Sequence, residues 1–160
     1  MLMRLNRAPN EPWNSDGRFL GKAPHKPMLL LCVLRGIRLG RISRPFVALD
    51  DALVHDFEFL RTRLGINHAV RIELPFHHLQ TESYASEALW RLFPARESSN
   101  ERAPASLDGL KDACTGAELN SQFWEDVAGE DGWISALVSL ISLNFDHAIV
   151  SELVAFANGR

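Results

Sequence analysis

Seven consecutive apolar residues, Met28 to Leu34, follow directly on Pro27 and constrain the fold more than any other segment. Proline suits the first turn of a helix, where its missing N–H is not needed. The stretch after it, MLLLCVLRGIRLG, is therefore predicted to be a helix that ends near Gly40. Apolar side chains cover nearly the whole circumference of its first two turns, and such a helix has to be enclosed by other elements. The run is far too short to span a bilayer. Charge enters only at its end, with Arg35, Arg38 and Arg41. These arginines either complement the C-terminal helix dipole or face a polyanion.

The rest of the chain reads as one domain around that helix. Residues 1–22, rich in Asn, Pro, Gly and Arg, are expected to form an irregular N-terminal arm pinned by Trp13 and Phe19, with residues 23–160 as the single domain. Ile42 to Val47 reads as a short extended link. Leu49, Leu53, Phe57 and Leu60 recur at helical spacing, Asp50 and Asp51 favour an N-terminal turn, and Gly65 closes that helix. Apolar alternation around Val70 and Ile72 is expected to break at Pro75, and Ala88–Phe93 reads as a strand ending at Pro94. Residues 95–106 are polar and read as an exposed loop. Helices are expected over 107–113, 118–127 and 133–157, the last broken near Asn144. The predicted class is mainly α (α+β), a helical single domain with a small β-hairpin or winged-helix-like element.

Composition excludes several functions. The N-terminus carries no apolar stretch followed by a small-residue cleavage site, so no signal peptide is expected. Cys32 and Cys114 form no C-x-x-C pair and read as reduced thiols of a cytoplasmic protein. No G-x-S-x-G, Gly-rich phosphate loop or G-x-G-x-x-G is present. The six histidines show no H-x-x-x-H spacing, and adjacent His77 and His78 are poorly placed to share a metal. The acidic pairs Asp50/Asp51, Glu125/Asp126 and Glu130/Asp131 read as solvated faces, caps or turns. No cofactor, no metal and no catalysis are expected.

The formal charge is −3, yet it is unevenly distributed. Residues 1–72 hold twelve Lys/Arg against six Asp/Glu, whereas residues 73–160 hold five against fourteen. A basic half beside an acidic half suits a polyanionic partner if the basic residues share a face.

Two motifs carry a resemblance. Ala23-Pro24-His25-Lys26-Pro27, followed by Met28-Leu29-Leu30-Leu31, and Leu74-Pro75-Phe76-His77-His78-Leu79, followed by Leu89-Trp90, occur in that order. Together with a weaker match over Gly109–Ala117, they resemble the sulfur-binding domain of phosphorothioate-dependent restriction endonucleases. Those are McrA-like type IV enzymes that join this domain to a separate HNH nuclease domain. The resemblance extends over roughly residues 20–145. In that family the second motif is close to Y-P-F-x-x-L followed by tryptophan, so Leu74 stands where a tyrosine is usual. No nuclease domain follows the last helix, and the resemblance therefore implies binding without cleavage, with a nuclease supplied by a separate chain.

The resemblance implies a partner, double-stranded DNA bearing phosphorothioate linkages, and a prokaryotic, nucleoid-associated location with no membrane contact. Sulfur in place of a non-bridging oxygen is larger, softer and a poorer hydrogen-bond acceptor. Leu74, Pro75 and His78 would form an apolar cup for it. Burying about 40 Å² of sulfur contributes about 1 kcal/mol, whereas desolvating an unbonded oxygen costs roughly 1–3 kcal/mol. The difference favours sulfur by roughly ten- to a thousand-fold. His25 and Lys26 would hold the phosphate, Arg44 would contact the backbone, and Arg71 or Arg102 would reach a base edge. Two other readings of the same residues stand beside this one. One is a modification-independent, winged-helix-like DNA binder. The other is a helical protein-interaction domain with Trp124 and Trp133 as anchors.

Overall fold

The computed structural model describes residues 4–67, 70–94 and 103–160. α1 (His25–Arg38) begins two residues before Pro27, which leaves the proline in the first turn. Met28 through Leu34 are all buried, as a helix apolar on every side requires. α2 (Asp51–Arg63), α3 (Glu73–His78), α6 (Glu130–Asn144) and α7 (Val150–Ala157) pack around it. Gly40, with φ near +76°, turns the chain away after the last turn.

α2 (Asp51–Arg63) starts where the sequence indicated, with the Asp50 carboxylate accepting the Leu53 N–H at 2.9 Å as N-cap. The extended link before it supplies β1 (Phe46–Ala48). β1 pairs antiparallel with β5 (Gly116–Leu119), which pairs antiparallel with β4 (Trp90–Phe93), so the last strand in sequence is central. Gly116 is required there by close approach: a Cβ would lie 2.4 Å from the Val47 carbonyl oxygen. Residues 118 and 119, expected to open a helix, belong to β5 instead. Asn120 then caps a shorter α5 (Ser121–Ala128) by accepting the Phe123 N–H. The propensities of Glu118 and Leu119 favour a helix, but pairing with two strands overrides them.

The segment around Pro75 also differs from expectation. Val70 and Ile72 are buried but form no strand among the described residues, and Pro75 lies inside α3 (Glu73–His78). It occupies the third helical position, whose N–H has no intrahelical acceptor in any helix, so the helix loses nothing. A single 3-10 turn, Leu79–Thr81, leads from α3 into a hairpin of β2 (Ser83–Tyr84) and β3 (Glu87–Ala88). Its two turn residues, Ala85 and Ser86, both have positive φ, the conformation of a tight two-residue hairpin turn.

The remaining helices are α4 (Leu107–Ala113), α6 (Glu130–Asn144) and α7 (Val150–Ala157). The expected break near Asn144 falls where α6 ends. Leu5, Trp13 and Phe19 are buried in the same core as α1. Arg7 ties the N-terminal segment down by donating to the carbonyls of Phe19, Lys22, Ala23 and Asn144.

Trp90 joins the sheet to α3. Its buried indole N–H donates to the Phe76 carbonyl at 2.8 Å, and the two rings meet edge to face at 4.9 Å. Trp90→Phe removes that donor, and equilibrium urea unfolding should register a loss of about 1–3 kcal/mol. An unchanged midpoint would show that this bond does not hold α3 in place.

Candidate nucleic-acid interface

The first turn of α1 and one face of α3 meet at a cavity of about 240 Å³. Five residues nominated from sequence line it together: His25 and Lys26 from α1, and Leu74, Pro75 and His78 from α3. The two segments lie some fifty residues apart in the chain, and the packing of α3 on α1 brings them together. Pro75 and His78 share a face because the segment is helical. Leu74, Pro75, Ala8 and Ala23 are the aliphatic members of the lining, and Asn6, Arg7 and Thr81 add to the polar ones.

The polar members carry defined charges. Lys26 Nζ donates to the Glu82 carboxylate at 2.5 Å and to Thr81 Oγ1 at 3.2 Å. Glu82 is buried and also accepts the Asn6 N–H at 3.0 Å, so the ammonium is held in one place. An ammonium has three donors, which leaves one for a ligand. Arg7 is different. Its guanidinium donates to backbone carbonyls and to the Asn144 side-chain oxygen, and no carboxylate among the described residues pairs with it. Burial lowers its pKa to about 10, so it stays charged at neutral pH.

Burial, helped by the Arg7 charge, lowers the His25 pKa to about 4, so the imidazole is neutral at physiological pH. Its ring stands edge-on to Trp13, with centroids 5.5 Å apart, and its Nε2 is buried without a hydrogen-bond partner. A neutral imidazole offers one donor and one acceptor, so His25 serves the cavity as a hydrogen-bonding group. The His78 pKa is also lowered, by partial burial, His77 and Lys26.

The other nominated cations lie elsewhere. Arg44 is exposed, with its guanidinium carbon 4.9 Å from the Phe46 ring centroid, and lines a separate cavity of about 180 Å³ with Arg41 and Asp56. Arg71 is exposed beside α3, donates to the Ala105 carbonyl and lies 3.6 Å from Glu73. Arg102 lies outside the described residues.

The excess of basic residues in the first half does not become one free face. Arg35 and Arg41 both pair with buried Asp56, Arg38 with Glu130, Arg61 with Glu58 and Arg63 with Glu152. Of the proposed protein-interaction anchors, Trp133 is buried and donates to the Leu34 carbonyl, and Trp124 is partly buried against the core. Among the described residues, no three His, Cys, Asp or Glu side chains are grouped to hold a metal. No helix among them is long and apolar enough to cross a membrane.

Sequence reading missed Asn6, Arg7, Ala8, Thr81 and Glu82. Arg7 sits in a segment without periodicity, and its role depends on four carbonyls distant in sequence. Glu82 was detectable only as an acidic residue shortly after the P-F-x-x-L stretch. No known family profile matches the chain, and no curated protein matches it.

The histidine shifts have a fixed sign. Between pH 6.5 and about 4 the folded protein keeps His25 neutral while the unfolded chain protonates it. Stability therefore falls as pH drops through that window, by about 3 kcal/mol from His25 alone, and is fully retained above it. His78 acts in the same direction. Urea unfolding at pH 7 and pH 4.5 should show this slope, and His25→Gln should flatten it. An equal slope in the variant would place the proton uptake elsewhere.

Proposed function

We propose that this protein reads phosphorothioate-modified double-stranded DNA without catalysis, holding one modified linkage in the cavity between α1 and α3. The observation that carries this reading is the convergence of Lys26, His25, Leu74, Pro75 and His78 on one cavity. Such a site needs both aliphatic and cationic groups, and the lining holds Leu74 and Pro75 together with Lys26. The Pro75 ring has no N–H to offer at that position and suits sulfur over oxygen. The same cavity is lined by Lys26 and the neutral His25, whose ammonium and imidazole suit the remaining oxygens of the linkage. Leu74, in the place of a family tyrosine, gives up a hydroxyl contact and adds aliphatic wall.

Arg44 and Arg71 are exposed, lie between the two cavity segments in sequence, and would contact flanking phosphates or a base edge. The many internally paired arginines leave fewer charges for the DNA, which supports recognition concentrated in the cavity over general phosphate attraction.

Fluorescence anisotropy with a duplex carrying a single phosphorothioate of either stereochemistry tests the reading against the unmodified duplex. One stereoisomer should bind ten-fold or more tighter than unmodified DNA, within the range of about 1–3 kcal/mol expected for the cup. Pro75→Ala should reduce that preference, whereas Lys26→Ala should weaken both duplexes alike. Equal affinity of the wild-type protein for modified and unmodified DNA would overturn the reading.

A further inference from the structure

Resting on the reading above, we propose that the cavity accepts a singly charged diester linkage and rejects doubly charged phosphate or thiophosphate monoesters, and that Glu82 sets this limit. The charged side chains that line the cavity, or touch its lining, are few. Arg7 contributes one positive charge that no carboxylate among the described residues balances. Lys26 contributes a second, and Glu82, bonded to it at 2.5 Å, removes one. His25 is neutral at physiological pH, and the lowered pKa of His78 leaves it so as well. The sum is one positive charge, which an internal linkage of a nucleic acid balances with its single negative charge.

The geometry makes Glu82 difficult to displace. It is buried, and it accepts both the Lys26 ammonium and the Asn6 N–H. Its backbone is fixed at the base of the β2–β3 hairpin, where its carbonyl accepts the Leu89 N–H at 2.9 Å and its N–H donates to the Leu79 carbonyl. A dianion on the far side of Lys26 would bring a second negative charge toward this fixed carboxylate with no further cation to meet it. Arg7 cannot turn to help, because its five N–H donors already have acceptors. Glu82 is thus a positioning and charge-setting residue: it orients Lys26 and limits what Lys26 can hold. The functional consequence is a reader that selects internal positions of a strand over 5′- or 3′-terminal phosphates.

The test uses two small probes that differ by one methyl group, competed against a labelled phosphorothioate duplex at pH 8. Thymidine 5′-O-methyl phosphorothioate carries one negative charge, and thymidine 5′-monothiophosphate carries two. The wild-type protein should bind the methyl ester at least about ten-fold more tightly. Glu82→Gln, which keeps the acceptor oxygen but removes the charge, should tighten the monothiophosphate by a similar factor and narrow the gap. Equal binding of the two probes by the wild-type protein would overturn the inference whether or not the variant folds. A gap that Glu82→Gln leaves intact in a folded variant would remove Glu82 from it. Both results leave the preference for modified duplex untouched, so they are distinct from failure of the functional reading. Loss of that preference would remove both.

Discussion

α1 is enclosed on every side, and this enclosure fixes where the polar groups of the molecule can gather. Its seven-residue apolar run leaves no face for solvent, so α2, α3, α6 and α7 are drawn around it and the N-terminal segment folds over its start. Only the ends of such a helix are open to chemistry. At the C-terminal end, Arg35 and Arg41 are consumed by buried Asp56. At the N-terminal end, His25 and Lys26 meet α3 and the segment containing Arg7, and the cavity forms there. A buried central helix thus explains why the candidate site draws on residues near positions 7, 25 and 75.

The site is a contrast of groups held at close range. A proline ring and aliphatic side chains line the same cavity as a lysine that a buried carboxylate and a threonine keep in one position. Charge is metered by burial: Arg7 keeps its proton among carbonyls, and the same low-dielectric surroundings deny His25 its own. The result is a cavity with modest positive charge and a wall that offers no hydrogen bond. That combination suits a linkage whose charge is ordinary and whose softness is not.

Much of the scaffold was legible in the sequence. Pro27 with its apolar run located α1, Asp50 marked the start of α2, and Asn144 marked the end of α6. The helix at Pro75 was harder, because proline breaks helices unless it falls in the first turn, and the start of α3 leaves no capping signature: Ile72 makes no side-chain cap bond. β5 was read as helix because strand pairing with β1 and β4 is non-local and leaves no periodic mark. Five cavity residues were nominated by motif, but the charge state of His25 was not, since it depends on Arg7 and on burial that only the packed structure defines. The basic excess of the first half was legible as composition and misleading as a surface, because the matching carboxylates lie across the fold.

The proposed function places recognition of modified DNA at this cavity. Amide chemical-shift mapping in ¹⁵N-labelled protein, titrated with a short duplex bearing one phosphorothioate, tests that claim most directly. With recognition at the cavity, the shifts specific to the modified duplex should cluster on residues 6–8, 23–26 and 74–82. Modification-specific shifts centred instead on Arg44 and the cavity beside Asp56, with residues 74–82 unmoved, would contradict it.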